Sequence, residues 1–202
     1  MIAILDYEMG NLRSVSKSLE AVGGDCQITR DPAVVAAADK LVVPGVGAFR
    51  DCMGALEKFD LIQPIKDFVA SGRPYLGICL GMQILMEESE EGGRYEGLGL
   101  FGGKVQRFDP EWKLKVPHMG WNNLQTKGES KLLAGLPENS FVYFVHSYYV
   151  APKKKGLTSA TTTYGVEFTS VIEKDNVYAV QFHPEKSQQV GLKLLKNFVE
   201  LT

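Results

Sequence analysis

Four apolar residues in a row, Ile2-Ala3-Ile4-Leu5, open the chain, and in the next stretch Leu12, Val15, Leu19 and Val22 recur every three or four positions. The unbroken run predicts a strand, and the spaced set predicts a helix with one apolar side that Gly23 and Gly24 bring to an end. CQIT (26–29) and KLVV (40–43), the latter running into Pro44-Gly45, read as further strands. Residues 48–71 read as two short helices, with Pro64 near the start of the second, where its missing N–H costs little. YLGIC (75–79) reads as the next strand. Strands alternating with helices are the pattern of crossover units that build a parallel sheet. After about residue 103 the rhythm changes. KVQRF, NNLQT, FVYFVHSYYV, TSATTTY, EFTSVIE and VYAVQF are strand-like, several with a period of two, which predicts antiparallel pairing, and LKLLKNFVEL closes the chain as a helix. The expected fold is therefore α/β: one domain over residues 1–202, with a central mixed, mainly parallel sheet flanked by helices.

Composition narrows the function classes. A chain of 202 residues that is 45% hydrophobic can bury a full core. Its net charge of -2 and scattered lysines argue against a nucleic-acid surface, and Lys153-Lys154-Lys155 reads as a solvated loop. The opening MIAILDYEMGN has neither a basic leader nor a long apolar core, so the expected location is the cytoplasm, with no membrane span. Cys26, Cys52 and Cys79 are odd in number and far apart, which suits reduced thiols, and the dispersed cysteines and histidines predict no metal site. Gly97-Leu98-Gly99-Leu100-Phe101-Gly102 matches a dinucleotide fingerprint in letters only. It precedes a strand-like KVQRF where that motif needs a helix, and it reads as a turn.

The chemistry concentrates at Gly77-Ile78-Cys79-Leu80-Gly81, where cysteine takes the serine position of G-x-S-x-G, the sharp strand-to-helix turn that exposes a nucleophile. A buried structural cysteine at a glycine-flanked strand end is the alternative. MQILMEE reads as the following helix, which would place the sulfur near a helix N-terminus, where the thiolate is favoured. A base is supplied by VYAVQFHPEKS. Pro184 holds His183 extended at a strand end, and Glu185 is near enough to accept from the second ring nitrogen and steady the imidazolium. A surface His-Pro-Glu loop is the alternative, but neither His118 nor His146 has an acid two residues away. An oxyanion would need prealigned N–H donors, for which Leu80 and the Gly45-Val46-Gly47 turn are placed by strand order. An ordinary strand-to-helix loop explains the same turn.

Together these stretches resemble the triad-type (class I) glutamine amidotransferases. Within them YEMGNLRSV, PGVGAF, PHMGWN, FVHSYY and HPEKS look like the glutaminase subunits of imidazole glycerol phosphate synthases, from histidine biosynthesis, and the resemblance runs from Asp6 to the C-terminal helix. It implies Cys79 as nucleophile, His183 as general base and acid, and Glu185 as orienting acid. It matches Gly45, Val46, Gly47 and Leu80 to the oxyanion region. Gln83, Glu91, Ser147 and Tyr148 match positions that hold the α-amino and α-carboxylate groups of L-glutamine. The implied reaction needs no cofactor and delivers ammonia to a cyclase subunit in a heterodimer, with Asn11, Met119, Trp121 and Lys186 at the interface.

Some of these assignments have a reading from the residues as well. Glu91 falls in EESEE, at the expected C-terminal end of the MQILMEE helix, where negative charge is disfavoured unless a ligand uses it; an exposed acidic helix end is the bland alternative. Trp121 fits an interface anchor or the core. Gly45-Val46-Gly47 is the expected two-state element, turning an N–H toward or away from the oxyanion, so that the isolated chain is nearly silent. The rival readings are a stand-alone cysteine hydrolase of γ-glutamyl bonds and a non-catalytic binding subunit.

Overall fold

The computed structural model describes residues 1–201, apart from the side chain of Lys155. Its first half follows the predicted alternation: β1 (Ile2–Leu5), α1 (Leu12–Ala21), β2 (Cys26–Thr29), α2 (Pro32–Ala37), β3 (Lys40–Gly45), α3 (Phe49–Lys58), α4 (Ile62–Ala70) and β4 (Tyr75–Cys79). The helix α2 was not foreseen, although its signal is in the sequence. Asp31 accepts from the Ala33 N–H at 2.8 Å and Pro32 occupies the first helical turn, a pairing that starts a helix.

One turn of helix follows β4, α5 (Leu80–Gln83), and then β5 (Met86–Ser89), β6 (Tyr95–Glu96) and β7 (Phe101–Arg107). The expected MQILMEE helix is therefore a correction: of that segment only Met82 and Gln83 are helical. The backbone beyond it pairs at long range, with Leu98 N–H donating to Ile84 O and Phe101 N–H to Leu85 O, and β5 runs parallel to β7. Buried apolar runs of this length fit a helix or a strand equally well from periodicity alone. The remaining elements are β8 (His118–Asn123), β9 (Gln125–Thr126), β10 (Phe141–His146), β11 (Tyr148–Pro152), β12 (Thr158–Tyr164), β13 (Val166–Lys174), β14 (Val177–Val180) and α6 (Gln188–Glu200). NNLQT is divided at Leu124, and FVYFVHSYYV is divided at Ser147 into strands of two different sheets.

The main sheet has the order β2-β1-β3-β4-β14-β13-β12-β9, parallel from β2 through β14 and antiparallel beyond. Smaller sheets, β11-β7-β5-β6 and β10-β8, complete the fold. Strands β1, β4 and β14 are buried at every position, as parallel strands covered on both faces must be. Alternate residues feed opposite cores. Leu5, Leu41 and Val43 pack with Phe49, Leu56 and Phe68 of α3 and α4. Ile4, Val42 and Ile78 pack with Val15 and Leu19 of α1 and Phe198 of α6. The C-terminal ends of β3, β4 and β14 thus lie side by side, where α/β sheets place their ligands.

Among the described residues no helix is long and apolar enough to cross a membrane. All three cysteines are free thiols. Lys153 and Lys154 are exposed, as a solvated loop requires. The Gly97–Gly102 segment is a turn leading into β7.

Candidate active site

Cys79, the last residue of β4, sits at φ 55° and ψ -107°, a backbone conformation that costs a non-glycine residue about 1–3 kcal/mol and needs its surroundings to hold it. Those surroundings are specific. A β-carbon on Gly77 would collide with the Gly81 carbonyl, and one on Gly81 would collide with the Val43 carbonyl. Both glycines are therefore required for the turn to lie against β3. The buried Tyr75 hydroxyl donates to Gly81 O at 3.0 Å and ties the turn to the base of its own strand. Because α5 is a single turn, its dipole gives the sulfur less than a long helix would.

His183 reaches the same place from β14 through Gln181 and Phe182, all three buried. Its N–H donates to Tyr143 O at 2.9 Å, and its carbonyl accepts from the Ser187 hydroxyl at 2.7 Å. Nδ1 lies 2.9 Å from Glu185 Oε1, with side-chain exposures of 2% and 1%. Burial opposes charging of the ring, but the neighbouring Cys79 sulfur and the Glu185 carboxylate outweigh it and lift the imidazole from 6.5 to about 10. Among the described residues, His183 Nε2 and Glu185 Oε2 have no hydrogen-bond partner. The carboxylate therefore acts chiefly on the imidazole, and Nε2 remains open for a reacting group.

Sequence reasoning passed over Gln181. It is fully buried, its Nε2 lies 3.7 Å from Cys79 Sγ as donor, and its Oε1 accepts from Gln83 Nε2 at 3.1 Å. A lone amide in the otherwise apolar VYAVQF is the one signal that could have raised it, since a polar group in a buried strand needs partners.

Cys79 and His183 line a cavity of about 270 Å³ with Val46, Gly47 and Leu80 of the oxyanion set and with Gln83, Glu91, Ser147 and Tyr148. Gly45 lies behind it, paired in register with Cys79. Gln83 donates from the same nitrogen to Tyr148 O at 3.0 Å and to Gln181, so its N–H groups are spent within the protein and its oxygen is what it can offer a ligand.

Glu91 sits at no helix C-terminus, which corrects the macrodipole argument. Of EESEE, Glu87 pairs with Lys153, Glu88 with Arg94 and Glu90 with Lys104. Glu91 instead accepts the Phe49 N–H at 2.8 Å at the start of α3. Burial raises its carboxyl above the usual value, against the opposing effect of that hydrogen bond.

Met119 and Trp121 project from β8 at 59% and 47% exposure, and Phe141 of β10 is exposed beside them. A core position for Trp121 is thus excluded. Trp121 meets Tyr143 edge-on at 6.0 Å, and Lys186 lies over that same ring. Asn11 is half-buried at the start of α1, which packs on the turn around Lys186.

The family model for glutamine amidotransferase class-I matches residues 3–201. The chain is 54% identical to the imidazole glycerol phosphate synthase subunit HisH of Syntrophotalea carbinolica, covering 100% of both chains. It is likewise 54% identical to HisH of Geobacter sulfurreducens, covering 99% of this chain and 98% of that one. In fold it resembles the structure of PurLQS from Thermotoga maritima, with a TM-score of 0.76 at 17% identity over 98% of this chain and 96% of the other.

Proposed function

From the premise that the chain belongs to the class-I glutamine amidotransferases, we propose that it is the glutaminase subunit of an imidazole glycerol phosphate synthase in histidine biosynthesis. It hydrolyses L-glutamine to L-glutamate and ammonia and hands the ammonia to a cyclase subunit in a heterodimer. That partner converts a phosphoribulosyl formimino nucleotide into imidazole glycerol phosphate and an aminoimidazole carboxamide ribotide. We read residues 1–202 as one type-1 amidotransferase domain working in the cytoplasm.

The observation that carries the mechanism is the strained Cys79 beside a buried His183–Glu185 pair in one cavity. The Cys79 thiolate attacks the side-chain amide carbon. N–H groups of Leu80 and the Gly45–Gly47 turn receive the negative oxygen. The His183 imidazolium protonates the leaving nitrogen, the C–N bond breaks, and ammonia departs from a γ-glutamyl thioester. Neutral His183 then takes a proton from water, hydroxide adds to the thioester carbon, and as the C–S bond breaks glutamate leaves the Cys79 thiolate paired again with the His183 imidazolium. Neither step calls for a cofactor. Glu91, Ser147 and the Gln83 oxygen grip the α-substituents of glutamine.

Trapping of Cys79 by a reactive glutamine analogue, with copurification of the partner, tests this reading. Trapping without a partner would favour a stand-alone hydrolase, and a partner without trapping a binding subunit.

A further inference from the structure

Two histidines outside the triad form a hydrogen-bonded pair inside the protein, and one of them lines the glutamine cavity. His146 Nδ1 lies 2.9 Å from Tyr148 O, and its Nε2 lies 2.9 Å from His118 Nδ1. His118 Nε2 lies 3.3 Å from Asn122 Nδ2, which also donates to Thr163 O at 3.0 Å. Burial holds both rings neutral, pushing His118 down to about 4 and His146 to about 3.

These partners fix the direction of every bond. A carbonyl only accepts, so His146 carries its hydrogen on Nδ1, and a neutral ring then accepts at Nε2. His118 must therefore donate from Nδ1 and accept at Nε2, where the Asn122 amide has a hydrogen to give. The chain runs one way: Asn122 to His118, His118 to His146, His146 to Tyr148 O. The same carbonyl receives Gln83 Nε2, whose other bond leads through Gln181 to Cys79 Sγ.

We infer that His118 and His146 are positioning residues for glutamine: through the Tyr148 carbonyl they hold the Ser147–Tyr148 junction of β10 and β11 in the conformation that receives the substrate. This rests on the glutaminase reading above and adds to it how that side of the cavity is built. The junction needs such a device because the chain changes sheets there, and strand pairing alone leaves it at the end of both ladders. His118 is itself held rigidly, stacked on Phe144 at 4.8 Å and on Tyr164 at 4.0 Å between centroids. It also stands on β8, the strand whose neighbouring Met119 and Trp121 form the exposed apolar face.

Two readouts test the inference. Ring-nitrogen chemical shifts of the protein labelled with ¹⁵N-histidine should show hydrogen on Nδ1 and none on Nε2 for both residues. Hydrogen on Nε2 of either ring overturns the chain. Kinetics with the partner subunit should then separate two variants of equal shape. His146→Leu, which removes the donor, should raise the KM for glutamine about tenfold with kcat changed much less. His146→Asn, which keeps a donor where Nδ1 stood, should restore most of it. The pair His118→Leu and His118→Asn repeats the comparison one bond further back should the first pair fold poorly. Unchanged KM in both leucine variants, with wild-type hydrolysis normal, overturns this inference alone. Absence of wild-type hydrolysis overturns the glutaminase reading and the inference with it.

Discussion

His183 Nδ1 stands 2.9 Å from Glu185 Oε1 with both side chains buried, and the imidazole is lifted to about 10. A raised folded value means that the imidazolium persists through neutral pH and is lost as pH climbs through about 10. Hydrolysis by the complex should therefore hold through neutral pH and fall on the alkaline side. Glu185→Gln removes the negative charge that steadies the cation, so the alkaline limb should move toward neutral pH and kcat should drop on the order of 10²-fold. A pH–rate profile of the two proteins decides it: an alkaline limb in the same place for both rules out the assigned role of Glu185.

The strain at Cys79 makes a prediction about stability. At φ 55° and ψ -107° glycine is more comfortable than alanine, by roughly 1 kcal/mol or more, despite its greater freedom in the unfolded chain. Cys79→Gly should unfold at a temperature no lower than Cys79→Ala, and both should keep the fold and bind the partner. A clearly less stable glycine variant in thermal unfolding would mean that the turn is not strained.

Gly81→Ala should behave in the opposite way, since the new β-carbon meets the Val43 carbonyl. Backbone on both sides leaves nothing flexible to give way, and a loss of about 1–3 kcal/mol in denaturant unfolding is expected. Wild-type stability in that variant would contradict the close approach of β4–α5 to β3.

Trp121 is half exposed, beside the exposed Met119 and Phe141. Trp121→Ala should leave the unfolding of the isolated chain nearly unchanged, within about 0.5 kcal/mol, while weakening the complex by about 2 kcal/mol or more as a buried aromatic anchor does. Titration calorimetry beside thermal unfolding distinguishes the outcomes. Full-strength association would move the docking face elsewhere.

Except for β14, whose parallel pairing with β4 the antiparallel rhythm of the second half concealed, the parallel part of the fold was legible because β1 and β4 are apolar throughout and α1 carries a one-sided stripe. Local pattern was enough there. It failed at Met86–Ser89, where pairing with β7, fifteen residues on, overrides the helical preference of MQILMEE. It also failed at Ser147, whose place in an unbroken run of β-formers hides a change of sheet. In the site, Cys79, His183 and Glu185 were legible because glycines and a proline mark the turns that present them. Gln181 and His146 were not, since each acts by contacts with residues far away in sequence.

The Gly45–Gly47 turn carries the remaining expectation. Two glycines around Val46 make a peptide rotation inexpensive, and a turn that withholds its N–H leaves an aligned Cys79 and His183 with the Leu80 N–H but without the second oxyanion donor. The isolated chain should then hydrolyse glutamine on the order of 10²-fold more slowly than the complex with a nucleotide ligand on the cyclase. Equal rates for the chain alone, with partner, and with partner plus ligand would dispose of the switch.

The mechanism rests on a covalent γ-glutamyl thioester at Cys79, and rapid-quench mass spectrometry of the complex turning over glutamine can detect it. One glutamyl group per chain is expected, mapped by peptide digestion to Cys79, absent in Cys79→Ala, and accumulating when the water-activating step is slowed. A Cys79→Ala variant that still releases glutamate, or a glutamyl group mapped to any other residue, would contradict it.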